Sequence, residues 1–125
     1  MKFILAAIAL AFTLNTATTA FADGSGTFTG ASGHVTKGGV TVSKNADGTA
    51  TVTLDAGFFL DGAPDPRVGF GNDGKFADGS DVGPLTSLTG EQVFLVPASI
   101  DVDDFNEIYI WCLKFAVPLG VAALN

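Results

Sequence analysis

The chain carries one cysteine, Cys112, and one histidine, His34, in 125 residues. A lone cysteine has no partner for an intramolecular disulfide, so Cys112 stays free, pairs with another molecule, or ligates something. Thiol redox chemistry needs thiolate character from a nearby cation or dipole, and a route for the oxidant. The sulfur can then cycle through a sulfenic acid or a mixed disulfide. Lys114 is the one cation near in sequence, and strand parity would put it on the face of Cys112. An upstream or cross-strand group would serve equally well. The second chemistry is ligation: thiolate plus imidazole, Cys112 with His34, is the one soft pair available for a metal or a haem iron. Two ligands make a thin site, and nothing in the sequence names a cofactor. Trp111, beside the cysteine, reads either as a core anchor or as a flat platform for a haem or sugar ring. Burial opposes reactivity, because apolar surroundings raise a thiol's pKa and make it inert.

Other chemistries fail on inventory. No Gly-flanked serine elbow, zinc-protease helix motif or phosphate loop is present, which disfavours the common hydrolases. Acidic clusters do occur: Asp61 with Asp65, Asn72-Asp73 with Asp78 and Asp81, and Asp101 with Asp103-Asp104. They could offer oxygen ligands to calcium, but none has the spacing of a calcium loop, and Asp-Gly clusters are ordinary turn chemistry. No metal site is expected.

Strands must position these residues, since no segment sustains a helical spacing of apolar residues. Residues 49–55, Thr-Ala-Thr-Val-Thr-Leu-Asp, alternate strictly, with Ala50, Val52 and Leu54 on one face. Val40-Thr41-Val42-Ser43 precedes them across a turn whose Asp47-Gly48 supplies the positive φ of a tight hairpin. Further strands are expected at residues 34–37, 67–70, 92–96 and 107–112, with His34 opening the first. Residues 72–84, rich in Gly and Asp, read as a surface loop. In Glu107-Ile108-Tyr109-Ile110-Trp111-Cys112 both faces are apolar, the mark of a central strand covered on both sides. The expected fold is all-β: a single antiparallel sandwich or barrel-like domain.

Several ordered fragments resemble the DM13 family. They are Gly26-Thr27-Phe28, His34-Val35-Thr36-Lys37-Gly38, Leu54, Phe59 and Pro64-Asp65-Pro66-Arg67-Val68 in the first half. Val82-Gly83-Pro84-Leu85, Gly90-Glu91-Gln92-Val93-Phe94, Val96-Pro97-Ala98, Asp101, Phe105 and Ile110-Trp111-Cys112-Leu113-Lys114-Phe115 follow in the second. Ala63, Phe94 and Pro118-Leu119 depart from the family pattern. The resemblance implies a β-sandwich-like extracytoplasmic domain whose cysteine, here Cys112, serves redox or electron-transfer chemistry. Relatives often sit beside haem- or sugar-binding domains, and this chain has none, so its donor or acceptor would be a separate extracytoplasmic partner protein. The competing expectation is a non-catalytic envelope or matrix module that binds a glycan or a protein.

Export frames both readings. A basic start at Lys2, an apolar run over residues 3–14 and a small-residue close at Ala20-Phe21-Ala22 form the signal-peptide pattern, with cleavage expected before Asp23 or else after Ala20. Residues 1–22 are thus a leader, residues 23–125 the domain, and the expected location secreted or periplasmic. The apolar run is shorter than the roughly 20 residues a spanning helix needs, and no cysteine follows it to carry lipid, so no membrane anchor is expected. Losing Lys2 takes the formal charge from −7 to −8. Five scattered cations among 13 carboxylates build no basic footprint, which excludes nucleic acid.

Overall fold

The computed structural model describes residues 22–125; the leader assigned to residues 1–22 lies outside them except for Ala22. The strands in chain order are β1 (Ala22–Thr27), β2 (Thr29–Gly30), β3 (Thr36–Lys37), β4 (Gly39–Lys44), β5 (Ala50–Leu54) and β6 (Phe59–Leu60). They continue as β7 (Pro66–Asn72), β8 (Lys75–Phe76), β9 (Gln92–Val96), β10 (Glu107–Cys112) and β11 (Val117–Ala123). A single 3-10 turn, Val102–Asp104, precedes β10. Among the described residues no helix is long and apolar enough to cross a membrane.

Alternation builds the first sheet, ordered β1-β4-β5-β9. Val40 faces Leu54, Val42 faces Val52, and Val52 in turn faces Phe94, so the apolar halves of three strands fall on one side. The turn between β4 and β5 forms as expected, with Gly48 at φ 89° and the Asp47 carboxylate accepting from both the N–H and the hydroxyl of Thr49. The second sheet, β2-β11-β10-β7-β8, places β10 in the middle. A two-stranded piece, β3-β6, closes one end. The inner faces share one core that includes Val52, Leu54, Phe70, Phe94, Ile108, Ile110 and Cys112. The architecture is an antiparallel sandwich curling toward a half-barrel, in one domain. Its corner is turned at Phe28, the single residue between β1 in the first sheet and β2 in the second. The Phe28 ring meets Phe58 edge-on at 5.7 Å.

Three local expectations need correction. His34 does not open a strand: it lies in the loop after the Ser32-Gly33 turn, and β3 begins two residues later. Residues 72–84 are not all surface loop, since β8 pairs back onto β7 through Gly71↔Phe76 and Asn72↔Lys75, and Ser80 is buried. Strand parity does not reach Lys114, because β10 ends at Cys112 and the chain turns through residues 113–116.

Candidate functional site

Cys112 closes β10 on its inner face, in line with Ile108 and Ile110, and is 1% exposed. Its neighbours in register are Pro66 on β7 and Val117 on β11. The thiol donates to the carbonyl oxygen of Pro64 at 3.1 Å. Pro64 is itself exposed, so the sulfur bonds to the backbone of a residue that meets solvent.

That cover belongs to residues 61–65, a strap fastened at both ends. At the first end the Asp61 N–H donates to the Val35 carbonyl at 3.1 Å. The Asp61 carboxylate accepts from the Val35 N–H at 3.0 Å and pairs with His34 Nδ1 at 2.8 Å. The Val35 hydrogen bond, helped by His34, holds the Asp61 carboxyl below the usual carboxylate range. At the other end Leu113 donates its N–H to the Asp65 carbonyl at 3.1 Å. Arg67 Nε donates to the Asp65 carboxylate at 2.8 Å, while its Nη1 reaches Asp81 at 3.4 Å. Between the anchors the chain needs positive φ at Gly62 (118°) and Asp65 (52°); aspartate is among the few non-glycine residues that adopt it readily.

The other side of β10 carries a separate cluster. Tyr109 and Trp111 point outward, and Phe76 from β8 lies over them, stacked on Trp111 at 4.1 Å with an interplanar angle of 7°. Tyr109 meets both rings edge-on, at 5.8 Å from Phe76 and 6.4 Å from Trp111. Glycines on β7 make room: a Cβ on Gly69 would sit 2.6 Å from the Phe76 ring. The Tyr109 hydroxyl donates to Glu107 Oε1 at 3.2 Å, an oxygen that also accepts from the Gly74 N–H at 2.8 Å.

Burial, reinforced by the Glu107 charge and hydrogen bond, pushes the Tyr109 phenol from 10.0 up to about 12. It is the chain's single tyrosine, so an absorbance titration reads it alone. The native midpoint is expected near 12, against the ordinary value in denaturant. An unfolded phenol releases its proton first, so stability falls as pH rises from about 10 to about 12 and is unaffected by this group at lower pH.

The residues singled out from sequence thus separate. His34 is held by Asp61, the Cys112 thiol by Pro64, and Trp111 stacks on the opposite face of the sheet from the thiol. Lys114 sits in the following turn with its Nζ 5.6 Å from the Phe115 ring centre. Among the described residues no three His, Cys, Asp or Glu side chains converge as a metal site. Sequence reasoning missed Pro64 and Asp61 as cover and clasp, and Phe76 as the stacking ring. Their partners lie 48 and 27 residues away in the first two cases, beyond any local pattern.

Fold and site together define a small all-β sandwich domain with one buried thiol on its central strand. Its sequence matches the family described as Electron transfer DM13 over residues 27–124, and the chain belongs to that family. Electron transfer is therefore its general role at family level. No curated protein and no solved structure matches the chain.

Proposed function

We propose that this protein is an exported electron-transfer module in which Cys112 is the redox group, exposed when the strap at residues 61–65 lifts and serving a separate extracytoplasmic partner. The observation that carries this reading is the thiol's bond to the carbonyl of solvent-exposed Pro64. Releasing a short strap is a local event, far cheaper than unfolding the sheet beneath it. In the open form the sulfur loses two electrons to a peroxide: an S–O bond forms, the O–O bond breaks, and water or an alcohol leaves. A partner thiol then attacks the sulfenic acid, expels water and leaves a mixed disulfide.

The test is the rate at which a thiol reagent labels the native protein. Asp61→Ala removes the carboxylate clasp to Val35 and His34, and labelling is expected to rise several-fold, a modest factor because the clasp is solvent-exposed. Global stability should fall only by the same small increment, a minor part of the whole, since the lost pair is exposed. A thiol that reacts only as the whole protein denatures, with Asp61→Ala no faster than wild type, would refute the proposal.

A second reading, an extracytoplasmic module that binds a protein or glycan, draws on a different feature. Val93 and Leu95 on β9, a strand at the edge of its sheet, are 62% and 65% exposed. Full biological activity in a Cys112→Ala strain would favour it over the first.

A further inference from the structure

Tyrosine, tryptophan and cysteine each occur once in this chain, and all three fall within Tyr109-Ile110-Trp111-Cys112 on one central strand. These are the side chains that give up a single electron most readily, and two of them share the outer face. Tyr109 is 1% exposed, while Trp111 is half-buried and reaches the surface. Their ring centres are 6.4 Å apart, with Phe76 packed against both. A phenol that loses an electron becomes strongly acidic, so its oxidation needs a base on its oxygen. Glu107 supplies that carboxylate at 3.2 Å and is itself half-buried, able to pass a proton on to solvent.

We infer that Tyr109, Trp111 and Glu107 form a second, one-electron redox site on the outer face of β10, with Trp111 as the port, Tyr109 as the radical store and Glu107 as the proton acceptor. An outer-sphere one-electron oxidant takes an electron from the Trp111 indole and leaves its radical cation. Tyr109 refills that hole as its O–H bond breaks, the electron going to Trp111 and the proton to Glu107. The net result is one electron on the oxidant, a neutral Tyr109 radical and a protonated Glu107. The site stands apart from the Cys112 proposal, because the thiol faces the core on the opposite side of the sheet.

The experiment uses photogenerated tris(bipyridine)ruthenium(III) as oxidant, with transient absorption and electron paramagnetic resonance as readouts, on the full chain and its Cys112→Ser variant. A neutral tyrosyl radical is expected in both and absent from Tyr109→Phe, which should instead hold a longer-lived tryptophan radical. Trp111→Phe keeps an aromatic ring at the port but should slow tyrosyl formation about tenfold. Glu107→Gln keeps the shape and removes the base, and should slow the same step while prolonging the tryptophan radical. Absence of a tyrosyl signal, or equal rates in wild type, Trp111→Phe and Glu107→Gln, would overturn the inference. A signal present in wild type but lost in Cys112→Ser would overturn its independence from the thiol. Thiol labelling of the Asp61 variant is unaffected by any of these outcomes, so the two proposals fail separately.

Discussion

Phe70→Ala is expected to remove about 3–5 kcal/mol of unfolding free energy, the usual cost of emptying a buried phenylalanine site. Phe70 is fully buried and stacks on Phe105 at 5.3 Å. It faces Ile108 across the β7–β10 pair, next to the pairing of Gly69 with Tyr109. Its N–H donates to Ser80 Oγ at 2.9 Å, and the Ser80 hydroxyl bonds back to the Ala77 and Phe70 carbonyls. Losing the ring therefore loosens both the core and the loop tied to it. For a domain whose total stability is about 5–15 kcal/mol, this is about a fifth of the whole or more. Urea unfolding followed by the single tryptophan measures it.

The same variant separates two routes to Cys112. If the thiol is reached through the strap, labelling in Phe70→Ala stays near the wild-type rate in water, because the strap's clasps at Asp61 and Asp65 are untouched. Once urea brings global unfolding below the free energy of strap opening, labelling follows the unfolding curve instead. If global unfolding is the only route, Phe70→Ala speeds labelling in water by more than a hundredfold, roughly the factor for 3 kcal/mol. The opposite pattern is expected of Asp61→Ala, with faster labelling at nearly unchanged stability.

What the sequence revealed follows from which forces are local. The alternation of residues 50–54, the Asp47-Gly48 turn and the two-sided apolarity of residues 107–112 are written in consecutive residues, and each appears in the fold where expected. β11 was not legible, because Val117-Pro118-Leu119-Gly120 contains the two residues that weaken a strand. Pro118 is accommodated where the β10–β11 register shifts between Ile110 and Trp111. Gly120 is required because a Cβ there would lie 2.6 Å from the Thr36 side chain. For the site, Cys112 and Trp111 were visible by residue type and neighbourhood. The strap and the ring that covers Trp111 are tertiary: Phe76 reads as part of an Asp/Gly-rich loop until β8 folds back onto β7. Composition likewise could not show that His34 serves Asp61, since a histidine's partner is set by loop geometry across 27 residues.

The fold of that cover can be tested at a glycine. Gly71→Ala adds one methyl group at a place with no room: its Cβ would lie 2.2 Å from the Lys75 carbonyl oxygen and 2.5 Å from the Tyr109 ring. The first of these is backbone, so it cannot swing aside as a long side chain would. Either β8 separates from β7, taking Phe76 off Trp111, or Tyr109 is driven from its bond to Glu107. The expected cost is about 3 kcal/mol, the upper end for overpacking a tight site. Trp111 emission should shift as its stacked partner leaves, and the Tyr109 titration should fall back toward 10 as water reaches the phenol. Gly57→Ala is the matched control, because its Cβ meets only Asp55 Oδ1 at 3.4 Å and its φ is ordinary. There the loss of unfolded-chain freedom offsets any crowding, and stability should stay within about 1 kcal/mol of wild type. If Gly71→Ala is as harmless as Gly57→Ala, β8 does not sit against β7 at this distance. Phe76 then cannot be the lid on Trp111, and the protected environment that makes Tyr109 a proton-coupled redox group is lost with it.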